Sequence, residues 1–251
     1  LMSVAHLKVS AGEALVKSWL MHPMRRTVDE EAVVFDPGGV DGRNPKINLY
    51  TGMELTPDKT ASCQQLLEHL FSLCGERERL YDWVLKWTAL PLQRPGTKMQ
   101  TAIVMYGAEG TGKNRFWRAV LAIYGRGGVL IESTFNGWES AKLFAVADEV
   151  VPRNEMRALK GRLKKLVTGD RVMINEKNQP LREERNAMNL VFLSNESVPL
   201  MVDPGDRRYS GIRCDVVQPM DYYRRIGAEL RAGGAEALYH YLLHYELEDF
   251  D

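Results

Sequence analysis

The stretch from Thr101 to Gly125 constrains the fold more than any other part of the sequence. It reads TAIVMYGAEGTGKNRFWRAVLAIYG: an apolar run rich in β-forming residues, a glycine-bearing loop, and an amphipathic segment that ends at a glycine. In the last segment, helical spacing relates the apolar side chains of Phe116, Val120, Leu121 and Tyr124. This order predicts a buried strand, a tight loop and a helix in direct succession.

The loop has the form G-x-x-x-x-G-K, which is typical of a phosphate-binding site. Backbone N–H groups of such a loop turn inward around the β- and γ-phosphates, and the start of the next helix adds its positive dipole end. Glycine is needed because a side chain would block that approach. Lys113 would supply a mobile ammonium group for the phosphate oxygens. The candidate nucleotide-binding residues are Gly107, Ala108, Glu109, Gly110, Thr111, Gly112, Lys113 and Asn114.

Asn114 departs from the usual pattern, because the residue after the lysine normally offers a hydroxyl group to Mg²⁺. An amide carbonyl is also a hard oxygen ligand, but it is neutral and a less suitable partner for Mg²⁺ than a hydroxyl. We therefore retain Asn114 as a candidate metal ligand. A working nucleotide site and a weakened one both stay open.

Two acidic residues end a second apolar run, KLFAVADEV, at Asp148 and Glu149. Beside a phosphate loop, one carboxylate holds the hydration shell of Mg²⁺ and the next polarises the attacking water. We predict both acids as catalytic residues and Asp148 as a metal ligand. Taken alone, the run fits a strand ending in surface acids equally well. Its combination with Lys113 favours the catalytic interpretation.

A basic segment, Arg153 to Arg171, follows these acids and has the apolar spacing of an amphipathic helix. The next residues, RVMINEKNQPLREER, predict a hairpin with Lys177 near its tip. A lysine on a projecting tip is suited to contact the phosphates of a nucleic acid. A solvated helix face and an ordinary exposed lysine are the alternatives.

Two more polar sites lie on the C-terminal side of the hairpin. Asn195 follows NLVFLS, a predicted buried strand, where its amide would orient the lytic water. Arg207 and Arg208 lie on the predicted turn DPGDRRY, from which an arginine can reach the γ-phosphate of a neighbouring subunit. The sequence does not rank the two arginines, and simple solvation of both is the alternative.

The composition predicts a soluble globular protein but no particular partner. Lys plus Arg and Asp plus Glu both number 33, so the total charge gives no argument for nucleic-acid binding. The three cysteines, Cys63, Cys74 and Cys214, are far apart, which predicts reduced, buried thiols in a cytoplasmic protein. No apolar run approaches the roughly eighteen residues of a membrane span, and no signal-peptide pattern is present. We therefore expect no membrane partner.

The flanking segments predict helices around the central motifs. Residues 1–98 predict an N-terminal accessory region that is mainly helical, with a small β element near 32–35 and 47–50 and two packed helices between 60 and 90. Residues 218–251 predict a C-terminal helical segment that packs on the rest or forms a lid. The predicted division is therefore 1–98, 99–217 and 218–251.

The ordered set of motifs resembles the superfamily 3 helicase domain, an AAA+ ATPase of phage, plasmid and mobile-element primase-helicase proteins. The set comprises GxxxxGKN, the apolar run ending in DE, the basic helix with its hairpin lysine, the strand ending in SN, and DRRY; it covers Met99 to Val217. The resemblance implies an α/β fold: an AAA+ P-loop NTPase core with a parallel sheet, preceded by a mainly helical accessory region and followed by C-terminal helices.

The resemblance also implies roles, cofactors and partners. The matching residues are the Walker A lysine Lys113, the Walker B acids Asp148 and Glu149, the DNA-contacting hairpin lysine Lys177, the sensor Asn195 and an arginine finger at Arg207 or Arg208. The implied cofactors are ATP and Mg²⁺. The implied partners are single-stranded or forked DNA, further copies of the chain in a ring that is a hexamer in this family, and an upstream primase domain or other replication proteins. The implied location is the cytoplasm of a bacterial host.

The resemblance implies an ATP-dependent DNA helicase motor that translocates on single-stranded DNA during replication of a phage or mobile genetic element. An ATP-gated DNA-binding assembly or loader module also fits, and Asn114 and the neutral net charge favour it. An ATPase that acts on protein or packages DNA shares the nucleotide site but does not account for the basic helix and tip lysine. Because the chain begins with Leu1, we expect it to be part of a longer protein.

Overall fold

The computed structural model describes residues 4–27, 32–39, 47–131, 140–148, 156–174, 182–196 and 205–250. Before the phosphate loop, the described elements are α1 (Val4–Ala11), α2 (Glu13–Met21), β1 (Val33–Val34), β2 (Ile47–Asn48), α3 (Gln64–Leu73) and α4 (Glu78–Gln93). The elements that follow are β3 (Ala102–Tyr106), α5 (Lys113–Tyr124), β4 (Gly128–Ile131), β5 (Phe144–Asp148), α6 (Met156–Thr168), β6 (Arg171–Ile174), β7 (Arg182–Arg185), β8 (Asn189–Ser194), β9 (Tyr209–Arg213), α7 (Met220–Arg231) and α8 (Gly234–Leu243).

Five strands form one parallel sheet in the order β4-β5-β8-β3-β9. The strand that leads into the phosphate loop, β3, is interior and pairs with β8 on one side and β9 on the other. Because all five strands run in the same direction, their carboxyl ends meet at one edge of the sheet. The predicted α/β fold with a parallel sheet, N-terminal helices and C-terminal helices is confirmed.

The continuous apolar run of β3 is explained by burial on both faces of the sheet. Successive side chains of a strand point to opposite faces. Ile103 and Met105 belong to a large buried cluster on one face, and Ala102 and Val104 belong to a smaller cluster on the other. The smaller cluster includes Leu166 and Val167 from α6. The basic helix therefore packs its apolar side against the sheet.

The large cluster extends from Phe35 to Leu247 and joins α3, α4, α7 and α8 to the sheet. Trp117 of α5 is fully buried in it and meets the ring of Trp87 from α4 edge-on, with ring centroids 6.4 Å apart. Buried residues from all three predicted segments thus pack in one core. The proposed boundaries at residues 98 and 217 stay predictions.

Several predicted boundaries shift in the structure. The start of the mainly helical N-terminal region forms two helices, because Gly12, with a φ of 88°, ends α1 before α2 begins. Helix α4 continues to Gln93, three residues beyond the predicted end of the second helix near residue 90. The hairpin limbs β6 and β7 pair antiparallel as predicted. The tip that carries Lys177 lies outside the described residues.

The structure confirms that Cys63, Cys74 and Cys214 are buried free thiols. Burial raises the pKa of Cys63 to about 11 and those of Cys74 and Cys214 to about 12, which keeps the thiols protonated near neutral pH. Within the described ranges, every helix is too short or too polar to cross a bilayer.

The shared core predicts that an accessory helix and the sheet unfold together. Leu70→Ala in α3 should lower the free energy of unfolding by about 2–5 kcal/mol, because its side chain is completely buried in the large cluster. Circular dichroism and tryptophan fluorescence should report one coincident transition in urea. Leu15→Ala is the matched control, since Leu15 is 64% exposed, and should change stability by less than about 0.5 kcal/mol. Two separate transitions in the parent protein would contradict a common core.

Candidate functional site

The phosphate loop, residues 107–113, requires glycine at the positions where the motif has it. Gly107, Gly110 and Gly112 have φ values of 126°, 77° and 77°. A Cβ atom on Gly107 would lie 2.5 Å from the carbonyl oxygen of Cys214 and 2.8 Å from the carboxylate of Asp215. Only glycine fits such a close approach of two backbone segments.

Lys113 begins α5, and its side chain is buried, with 7% exposed. Its Nζ atom donates to the carbonyl oxygen of Ala108 at 2.8 Å and to Oδ1 of Asn195 at 2.9 Å. Longer contacts, each 3.4 Å, reach the carbonyl oxygen of Gly107 and Oγ1 of Thr111. Moving a cation out of water is unfavourable unless oxygens replace its hydration shell, and these oxygens do so. The bond to Asn195 ties the loop to the end of β8.

A cavity of about 690 Å³ opens beside the loop at the carboxyl edge of the sheet. It is lined by Lys113 and Asn114 from the start of α5, by Asp148 from the end of β5 and by Asn195 from the end of β8. Its volume is typical of a small-molecule site. The structure therefore brings together four residues that the sequence placed at one site. Glu149, the fifth residue predicted here, lies outside the described residues.

The two arginines of the DRRY turn differ in their surroundings. Arg208 donates from Nε and Nη2 to the two carboxylate oxygens of Asp206, at 2.7 and 2.8 Å. This contact with Arg208 lowers the pKa of the Asp206 carboxyl group. Arg207 is exposed on the same turn. Neither arginine lines the cavity of its own chain.

Two residues that the motifs did not indicate contact the backbone of the phosphate loop. Nε2 of His69, in α3, lies 3.0 Å from the carbonyl oxygen of Gly112. The hydroxyl group of Tyr223, in α7, donates to the carbonyl oxygen of Gly110 at 2.8 Å. Burial lowers the pKa of His69, which favours the neutral ring. Because the partner of Nε2 is a carbonyl oxygen, which can only accept, the proton is assigned to Nε2.

The sequence does indicate that His69 has a buried hydrogen-bond partner, because this residue lies among the apolar residues that form the buried face of α3. A polar group on such a face needs a buried partner. No comparable signal marks Tyr223, since aromatic residues are frequent throughout the C-terminal segment. Its role depends on a contact between residues that are 113 positions apart.

The remaining wall of the cavity combines apolar side chains with arginines. Val217 and Met220 are 56% and 67% exposed beside the loop. The guanidinium group of Arg115 lies over the ring of Tyr223, 5.1 Å from its centroid, and Arg118 lines the cavity as well. Such a wall suits a ligand that has both a flat ring and anionic groups.

Known protein families and structures are similar to the part of the chain that contains this site. Residues 105–208 match the model of a family of unknown function, DUF5906. The match begins within β3 and ends at Arg208. It therefore includes the phosphate loop, Asp148 and Asn195.

The DNA primase-polymerase of Nitratiruptor phage NrS-1 is 28% identical to this chain over 162 residues, which are 61% of this chain and 22% of the phage protein. The apo structure of the NrS-1 C-terminal region has a TM-score of 0.73 and 22% identity, and the match covers 86% of this chain and 55% of that one. A structure of JCV Helicase is a more distant likeness, with a TM-score of 0.47, 15% identity and coverage of 73% and 54%.

The likeness to the NrS-1 region supports the predicted α/β fold. In agreement with the predicted resemblance to a domain of phage primase-helicase proteins, the chain is similar to a phage primase-polymerase. The match to this chain spans less than a quarter of that phage protein.

Proposed function

We propose that this chain is the ATPase motor of a DNA helicase that acts in the replication of a phage or mobile genetic element. The observation that carries the proposal is the position of Lys113, buried between the phosphate loop and Asn195 at a cavity that Asp148 also lines. This is the arrangement that phosphoryl transfer requires, because that chemistry depends on positioning and charge. The similarity to a phage DNA primase-polymerase supports a role in replication.

The loop residues would hold the β- and γ-phosphates of ATP with backbone N–H groups. Lys113 would then exchange its contacts with backbone carbonyl oxygens for bonds to phosphate oxygens, in which both the donor and the acceptor are charged. Asn195 accepts a hydrogen bond from Lys113, and from this position its amide would orient the attacking water near the γ-phosphate. We assign the polarisation of this water to Glu149, the residue after Asp148.

The side chains beside the loop fit a magnesium ion. The carboxylate of Asp148 and the amide oxygen of Asn114 line the same cavity, and both are hard oxygen ligands. A bound Mg²⁺ would supply positive charge against the oxygens of the transferred phosphoryl group. Asn114 contributes no charge of its own, so Asp148 would be the stronger of the two ligands.

Arg207 is the arginine that we propose to reach the nucleotide of a neighbouring subunit. Arg208 is held within its own subunit by both oxygens of Asp206, and its carbonyl oxygen accepts the backbone N–H of Ala102 at 2.7 Å. These bonds anchor the turn to the sheet. Arg207, exposed on that anchored turn, is suited to act in a second copy of the chain.

We further propose that the copies form a ring, by resemblance a hexamer, around a single DNA strand. The hairpin of β6 and β7 would present Lys177 to the phosphates of that strand, which gives a grip independent of base sequence. The motor would occupy residues 99–217, between the accessory region and the C-terminal segment. It would work in the cytoplasm of a bacterial host, on single-stranded or forked DNA and beside a primase domain or other replication proteins.

An ATP-gated DNA-binding assembly or loader module is the second candidate. Asn114 favours it, because a neutral amide replaces the hydroxyl group that usually binds Mg²⁺ after the lysine. Such a module would bind ATP but hydrolyse it slowly, with little stimulation by single-stranded DNA. The rate of phosphate release with and without DNA separates the two candidates.

Two inactive variants should restore each other's ATPase activity when mixed. Lys113→Ala should abolish hydrolysis, and Arg207→Ala should reduce kcat by about 10³-fold or more, because each removes one half of the shared site. In a mixed ring, the intact loop of the Arg207→Ala subunit faces the intact arginine of the other variant. Phosphate release should therefore recover in part on mixing. No recovery, with both variants assembling like the parent, would contradict a site completed in trans.

Lys177→Ala should spare basal ATP hydrolysis and abolish unwinding of a forked duplex, because it removes a DNA contact and leaves the nucleotide site intact. Lys59→Ala, at an exposed lysine before α3, is the matched control and should unwind like the parent. Unwinding by Lys177→Ala at the parental rate would show that the hairpin lysine does not grip DNA.

A further inference from the structure

Side chains from α3 and α7, two helices outside the sheet, fix the carbonyl groups of the phosphate loop. In a loop whose N–H groups converge on an anion, the carbonyl oxygens face elsewhere and need partners of their own. The hydroxyl group of Tyr223 donates to the carbonyl oxygen of Gly110 at 2.8 Å and accepts the backbone N–H of Gln218 at 3.1 Å. It thus links the loop to the connection that precedes α7.

His69 makes the corresponding contact at the start of α5. Its side chain is 1% exposed, and Nε2 lies 3.0 Å from the carbonyl oxygen of Gly112. A Cβ atom on Gly112 would lie 3.0 Å from this nitrogen and 2.8 Å from Cε1 of Tyr223, so both rings pack directly on the glycine. The two rings also meet edge-on, with centroids 6.0 Å apart. Together the two side chains contact the loop at two nearby residues, Gly110 and Gly112.

We propose that His69 and Tyr223 are positioning residues that hold the phosphate loop in its binding conformation before a nucleoside triphosphate arrives. The proposal rests on the nucleotide site proposed above. A loop that is already ordered loses less conformational entropy on binding, so its affinity for the ligand is higher. The accessory helix α3 and the C-terminal helix α7 therefore belong to the nucleotide site, although the motifs place them outside it.

Tyr223→Phe tests the proposal with the smallest change. It removes one hydroxyl group and keeps the ring that contacts His69 and Arg115. Amide hydrogen exchange of residues 108–113, measured without nucleotide, should accelerate roughly three- to tenfold, and the Kd for ATP should rise by a similar factor with little change in kcat. Tyr245→Phe is the matched control: it removes a hydroxyl group that donates to Asp82 at 2.7 Å, and should leave the loop unchanged.

Paired substitutions at His69 separate hydrogen bonding from packing. His69→Leu fills the space without a donor and should accelerate exchange of the same amides. His69→Gln retains an N–H group that can donate to the carbonyl oxygen of Gly112, and should restore most of the protection.

The pH dependence gives a further readout. Burial lowers the pKa of His69 from 6.5, the hydrogen bond to Gly112 partly opposes this shift, and the nearby guanidinium group of Arg115 acts in the same direction as burial. The rings of Tyr222 and Tyr223 also face it, and Nδ1 has no hydrogen-bond partner among the described residues. Since the fold favours the neutral ring, its stabilisation is complete above pH 6.5 and decreases as the pH falls toward the lower, folded-state pKa. The protonated ring can still donate to Gly112, but it places a charge in a buried site beside Arg115, so loop protection, corrected for intrinsic exchange, should follow this decrease in the parent but not in His69→Gln.

The outcomes distinguish this proposal from the proposed function. Unchanged exchange of residues 108–113 in both Tyr223→Phe and His69→Leu would overturn the positioning role, whether or not the chain binds ATP. Accelerated exchange in both variants, with no ATP binding by the parent, would support the positioning role and overturn the nucleotide site.

Discussion

The site depends on the hydrogen bonds that the buried ammonium group of Lys113 makes with surrounding oxygen atoms. A cation removed from water is stable only where oxygen atoms surround it, and the oxygens here include carbonyls of the phosphate loop and the amide of Asn195. The parallel sheet brings these atoms together, because β3 and β8 are neighbours and their carboxyl ends meet. The same edge places Asp148 at the cavity. A fold of this kind collects polar groups from distant parts of the chain around one charge.

The surrounding helices contribute more than cover for the sheet. The large cluster of buried side chains runs through α3, α4, α5, α7 and α8, so the helices that flank the motif region are fixed to the phosphate loop by a common core. This packing lets His69 and Tyr223 reach loop carbonyls with little freedom to move. On the other face, α6 packs against the sheet and leads directly into the hairpin. The helix that begins at the phosphate loop, α5, and the helix that leads into the hairpin, α6, therefore pack against opposite faces of one sheet.

Local patterns in the sequence predicted much of the fold and part of the site. The run from β3 to α5 and the polar residues that end β5 and β8 follow from spacing alone, because each apolar run must end where its side chains leave the core. Strand β9 was not predicted: it is an edge strand of sequence YSGIR in which only Ile212 is buried, so it carries no apolar run. The contacts of His69 and Tyr223 join residues 43 and 113 positions apart, and no local pattern encodes them. The difference between Arg207 and Arg208 likewise depends on the bond to Asp206, which required the geometry of the turn.

In the proposed function, two copies of the chain complete one ATP site, a claim that can be tested in solution. The rate of ATP hydrolysis per subunit, measured over a range of protein concentrations with light scattering on the same samples, tests it most directly. If one copy holds the phosphates and the next supplies Arg207, the rate per subunit should rise in step with the assembled fraction. A rate per subunit that stays constant from monomer to assembly would contradict the claim.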